Sequence, residues 1–193
     1  MLDFTPATSA LIKVVEGVRD DQLGSPTPCT DASVGDLIDH ARGFCVAFAA
    51  AARKLPPMAP TADGSRLGPG WRAQLPHHIE ELAAAWRDEA AWSGVTKAGG
   101  PDDLPAELAA AIAMDEVIVH SWDIAAATGQ SYSCDPALID LASSFAGQVA
   151  NSNPEGTPGL FGPAYPVPAG AAPLDRLLGI TGRDPAWRPG TED

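Results

Sequence analysis

Apolar residues recur along this chain at the spacing of helices rather than strands. Ala7, Leu11, Val14, Val15 and Val18 share one face of a segment from about Pro6 to Asp20, with Thr5 as its N-cap and Pro6 at the first helical position. A second helix is expected after Ser33, where Ser33-x-x-Asp36 has the form of a capping box with the shorter acid. Its body, VGDLIDHARGFCVAFAAAARK, is apolar on one side and stops before LPPMAP, whose prolines cannot continue it. The pattern predicts a third helix from about Gly70 to Trp92, carrying Trp71, Leu75, Ile79, Leu82 and Trp86, and GVTKAGGPDD breaks it. A fourth runs from about Pro105 to Thr128 with Gly129 as its stop, and a fifth from Asp135-Pro136 to about Ala150. Residues 151–173 are rich in Pro and Gly and read as irregular chain packed across the helices. LDRLLGITG reads as a short helix and the last dozen residues as a frayed end. No alternating apolar and polar run marks a strand. The expected architecture is all-α: an antiparallel four-helix bundle over residues 1–150 with an extra helix, followed by an irregular, Pro/Gly-rich C-terminal extension over residues 151–193.

One stretch breaks the rule that apolar helices exclude charge. DEVIVHSWDIAAATG, residues 115–129, sets Glu116, His120 and Asp123 among Val117, Ile118, Val119, Trp122 and Ile124. The i,i+4 and i,i+3 spacings put the three ionisable groups along one stripe of a helix. The second helix offers His40, with Asp36 one turn before it. Two imidazoles and a carboxylate from facing helices make a three-ligand divalent-metal site with open positions, so His40, Glu116 and His120 are the candidate ligands. Asp123 and Asp36 are candidates to orient a ligand from behind or to serve as a base. Trp122 adjoins the stripe and is a candidate pocket wall. The plainer reading leaves Glu116 and His120 as an i,i+4 pair in a metal-free bundle. His77 and His78 read as surface or packing residues. Cys45 points off the ligand face, and Cys29 lies in the loop before the second helix.

Composition narrows the classes. Of 193 residues, 45% are hydrophobic and 19% charged, which suits a globular chain with a real core. The formal net charge of −13 argues against a nucleic-acid binder and against an anionic membrane surface. Three cysteines without a CxxC pair make neither a disulfide framework nor a zinc ribbon, and fit reduced thiols in the cytoplasm. No signal peptide or membrane span is apparent. GxGxxG, the P-loop, GxSxG and HExxH are all missing.

The two motifs together carry a resemblance. TPCTDASVGDLIDHARG, residues 27–43, followed by DEVIVHSWDIAAATG, resembles the metal-binding domain of mycothiol-dependent maleylpyruvate isomerases, within the DinB-like superfamily of four-helix metalloproteins. The resemblance runs from the first helix to about residue 150. It implies a divalent metal, commonly zinc with nickel, iron or manganese as alternatives, held by His40, Glu116 and His120. It implies mycothiol as a thiol cosubstrate, an electrophilic small-molecule substrate, an actinobacterial source and a homodimer. It implies an S-transferase or isomerase-like enzyme. The full isomerases carry a second, C-terminal domain, where this chain has the Pro/Gly-rich tail, so the resemblance bears on the site more than on the substrate. A metal-bound bundle that binds a ligand or partner without chemistry is the alternative. A hydrolase using metal-bound water ranks below thiol chemistry.

Overall fold

The computed structural model describes residues 1–98 and 102–190. Part of GVTKAGGPDD, residues 99–101, and the end of the tail, residues 191–193, lie outside the described residues. The described residues form six α-helices: α1 (Thr5–Glu16), α2 (Val34–Ala52), α3 (Trp71–Ala85), α4 (Ala106–Thr128), α5 (Pro136–Ser152) and α6 (Pro173–Ile180). Helices α1 and α2 each pack against both α3 and α4, closing a four-helix bundle. Helix α5 lies on α4, and α6 lies on α5. The all-α four-helix bundle with an extra helix expected from the apolar pattern is the fold observed.

Helix α4 is apolar nearly all round because it is covered nearly all round, by α1, α2 and α5. Among its residues Ala109, Ala113, Val117, Ile118 and Ile124 are fully buried. Gly129 ends it at φ 72, the left-handed conformation that glycine adopts without penalty. Gln130 N then donates to Ala125 O at 2.8 Å. The far end of the bundle is aromatic. Phe4 stacks on Trp86 at 5.6 Å, and Trp92 meets Trp86 edge-on at 5.5 Å while its Nε1 donates to Trp86 O at 2.8 Å.

Helix α2 starts on the capping box read from the sequence. Asp36 N donates to Ser33 Oγ at 3.2 Å, and Ser33 N donates to Asp36 Oδ2 at 2.9 Å. Asp36 Oδ1 also accepts from Gly64 N at 2.7 Å, tying the loop after α2 to the helix start. Because the Asp36 N–H loses its acceptor and Asp36 Oδ2 loses the Ser33 hydroxyl, Ser33→Ala should lower stability by about 1 kcal/mol in urea titration. An unchanged midpoint would show that the box contributes nothing.

Several expected boundaries move. Thr5 is the first residue of α1 rather than its cap; Asp3 Oδ1 accepts from Thr5 N at 2.9 Å. Helix α1 stops at Glu16, and residues 20–22 form a separate 3₁₀ turn. Helix α3 ends at Ala85, because Asp88 caps a new turn by accepting from Ala90 N at 2.9 Å. Leu104–Pro105 pairs antiparallel with Val95–Thr96 in a two-stranded ribbon too short to leave an alternating pattern. The tail is the largest change. Thr181 is buried, Arg183 is 6% exposed and Trp187 packs on the core, so the segment just after α6 is integral to the molecule and not frayed. No described helix is long and apolar enough to cross a membrane.

Candidate metal centre

Helices α2 and α4 bring His40, Glu116 and His120 to one point. His40 Nε2 lies 3.1 Å from Glu116 Oε2, and His120 Nε2 lies 3.3 Å from the same oxygen. The three donor atoms all fall within 4.8 Å of one another. The imidazole rings meet edge-to-face with centroids 5.0 Å apart, and Phe44 backs both, at 5.6 Å from His40 and 6.3 Å from His120.

Asp123 stands behind His120. Its Oδ2 lies 3.0 Å from His120 Nδ1. A carboxylate only accepts, so Nδ1 carries the hydrogen and Nε2 faces Glu116 and His40. Asp123 is fully buried, and the group that compensates its charge comes from the tail. Arg183 Nη2 donates to Asp123 Oδ2 at 3.1 Å, Arg183 Nε reaches Oδ1 at 3.4 Å, and Nη1 donates to Thr181 O at 2.8 Å. The sequence pattern missed Arg183. The signal that points to it is a buried carboxylate needing a cation in a chain with only 12 Lys and Arg.

The remaining candidates are placed as follows. Asp36 is committed to the start of α2 and does not join the trio, because Ser33 and Gly64 occupy both its oxygens. Trp122 is buried on α4 and does not line the cavity in front of the trio. His77 is exposed and His78 partly so, each near Glu81. Cys45 is fully buried, and burial pushes its thiol far up. Cys29 lies on the cavity wall, its sulfur within 4.8 Å of ligand atoms of His120 and Asp123.

The cavity has a volume of about 560 Å³. His40, Glu116 and His120 form one side; the loop 157–162 and residues 181–183 form another. A space of that size suits a small organic molecule. Two polar atoms in its lining residues are buried with no protein partner, Asp115 Oδ1 and Thr157 Oγ1. Each such atom costs about 1–3 kcal/mol when left unbonded.

The ionisable groups are tightly coupled. Burial opposes charge on His120, but hydrogen bonds to Asp123 and Glu116, reinforced by their charges, outweigh it and lift the imidazole to about 10. Burial raises Glu116, yet the hydrogen bonds and charges of His120 and His40 hold its carboxyl far below the usual range. Burial likewise opposes ionisation of Asp123, and the Arg183 charge and His120 overcome it. For Asp115, burial and then the Glu116 charge outweigh the relief from Arg183 and His120 and push it well above the usual range.

The pH dependence of the metal-free protein follows. A raised imidazole contributes stability that is complete below the ordinary value, about 6.5, and disappears as pH climbs toward about 10. The depressed carboxylates contribute above their ordinary range of about 4 and lose that contribution in acid. Asp115, raised, acts against stability from its ordinary range of about 4 upward, so chelator-treated protein should be most stable just above about pH 4 and lose stability as pH climbs toward about 10. Urea titrations across pH check this, and a stability that keeps rising above pH 7 would contradict it.

The donor set fits a divalent first-row metal. It offers two imidazole nitrogens and one carboxylate oxygen, and His120 has its second nitrogen anchored by a buried carboxylate.

Fold and site define a helical bundle with a half-buried His–Glu–His cluster at the side of a ligand-sized cavity. Comparison with known proteins then gives the family. The mycothiol maleylpyruvate isomerase N-terminal domain matches residues 4–125, and the chain belongs to that family. Uncharacterized proteins of Mycobacterium tuberculosis strains CDC 1551 / Oshkosh and ATCC 25618 / H37Rv are each 32% identical over 92% of this chain and 93% of their own. The crystal structure of mycothiol-dependent maleylpyruvate isomerase aligns with a TM-score of 0.52 at 21% identity, and a histidine-to-alanine mutant of that enzyme with 0.54 at 20%. Both alignments cover 76% of this chain but only 64% of the isomerase chain. At this identity the likeness establishes the fold.

Proposed function

We propose that this protein is a metal-dependent enzyme that uses a low-molecular-weight thiol, mycothiol, for S-transfer or isomerisation of an electrophilic small molecule. The observation that carries the reading is the convergence of both imidazole Nε2 atoms on one oxygen of Glu116. His40, Glu116 and His120 are the ligands, with zinc the first choice and nickel, iron or manganese the alternatives. When bound, such an ion supplies the positive charge that favours a thiolate over a thiol.

The chain's own groups do the rest. Asp123 accepts from His120 Nδ1 and so keeps Nε2 aimed at the ligand cluster. Arg183 fixes Asp123 and keeps it ionised. Leu37 and Val119 give the cavity an apolar side, which thins the water around a nucleophilic sulfur. Family membership and the isomerase named among the structural relatives support the thiol. The unpaired cysteines among the described residues and the lack of a described membrane-spanning helix agree with work in the cytoplasm.

Elemental analysis of untagged protein purified without chelator tests the site, and about one divalent ion per chain is expected. A panel of electrophiles with mycothiol then tests the reaction. Turnover that depends on the metal supports the enzyme. Binding of mycothiol without turnover favours a non-catalytic metal-containing binder, and protein that takes up no metal even after reloading overturns both.

A further inference from the structure

The trio occupies one side of the cavity, and the cavity is far larger than a thiol sulfur requires. Its other side is polar and built. Thr157 is pinned by a two-way backbone bridge: its N donates to Phe161 O at 2.7 Å, and Phe161 N donates back to Thr157 O at 3.0 Å. Gly156 makes the turn at φ 91, where a Cβ would meet Gly162 C at 2.8 Å. The loop is therefore held against residue 162 by a position only glycine fills, and it carries Thr157 Oγ1 into the wall, buried and without a protein partner. Helix α4 adds Asp115, which is 3% exposed, with Oδ1 buried and equally without a protein partner. Native proteins rarely leave such atoms unbonded, and two on residues that line one cavity mark a place where a ligand's hydrogens go.

We infer that Asp115 and Thr157 form the subsite that holds the polar body of the thiol cosubstrate, accepting hydrogen bonds from its hydroxyl or amide groups while its sulfur lies at the trio. The inference rests on the proposed function, and it assigns to the thiol, not to the electrophile, the larger part of the cavity. The acceptors belong to different segments, α4 and the loop after α5, so the tail takes part in choosing which thiol is used. A thiol with no polar body gains nothing from them.

The test is calorimetric titration of metal-loaded protein with mycothiol and with ethanethiol. The variants are T157V and D115L, which keep side-chain branching and delete the acceptors, and D115N, which keeps a carbonyl acceptor. T157V and D115L should each bind mycothiol about tenfold more weakly, and D115N should stay near the parent. Ethanethiol should bind all four proteins alike. Thermal midpoints should not fall in T157V or D115L, because each removes a buried polar atom that has no protein partner. Unchanged mycothiol affinity in both variants overturns the subsite alone. Equal weakening for mycothiol and ethanethiol, or lowered thermal midpoints, makes the two residues structural and overturns it as well. Parent protein that carries metal but takes no mycothiol overturns the proposed function together with the subsite.

Discussion

His120→Ala is expected to strip the metal from the protein while leaving its helices in place. Of the three ligand candidates, His120 makes the most connections: Nε2 reaches Glu116, Nδ1 reaches Asp123, and the ring packs against His40 and Phe44. Removing it leaves one imidazole and one carboxylate, too few for tight retention of a first-row ion at neutral pH. Loss of one ligand should exceed the roughly 10–100-fold drop in affinity typical of losing a group that only orients a ligand. Elemental analysis of the purified variant should find the metal gone, and circular dichroism should find the helical signal unchanged, since Leu37, Ile38, Val117 and Ile118 still close α2 on α4. His40→Ala should behave in the same way. Metal retained at parental stoichiometry in both variants would remove the trio from consideration and leave the plain Glu116–His120 pair.

Glu116, His120 and Asp123 could be read together because a helix maps sequence spacing directly onto a face, and ionisable groups set into an apolar run need a reason. His40 required a step across space, and the bundle supplies it by packing α2 on α4. Asp36 shared the spacing logic and ended elsewhere. Its i,i+4 relation to His40 is real, but the capping box takes one of its oxygens and the backbone of Gly64 takes the other. Spacing identifies a face; it does not say which of two jobs on that face a carboxylate performs. The end of α3 was illegible for a similar reason. Trp86 and Trp92 continue an apolar rhythm, while Asp88 restarts the chain in a tighter turn. Arg183 was illegible altogether. It lies 60 positions from Asp123 in a segment without periodicity, and only the fold brings the two charges together. The same holds for Thr157, placed by a glycine turn in a stretch where Pro and Gly hide any pattern.

Arg183 carries the second large effect. Arg183→Met keeps most of the apolar stem and deletes the charge, which leaves Asp123 ionised, fully buried and without its cation. Breaking a buried ion pair from one side costs about 3–5 kcal/mol. For a chain of this length each kcal/mol moves the thermal midpoint by about 2–4 °C, so a drop of about 6–20 °C is expected by calorimetry. The sign of its pH dependence is fixed by the carboxylate. Asp123 is held below its ordinary range in part by Arg183, so the pair contributes above about pH 4 and is lost as pH falls through the depressed value. The gap between parent and variant should thus be full at neutral pH and shrink in acid. Arg183→Lys should recover part of the stability, since it restores the charge without the two-pronged contact through Nε and Nη2. Metal affinity should fall with Arg183→Met too, because Asp123 then no longer fixes His120 in one orientation. An unchanged midpoint at pH 7 would mean that Asp123 is neutral when buried. In that case the tail anchors the bundle by packing alone, and the chain of contacts from Arg183 through Asp123 to His120 does not tune the site.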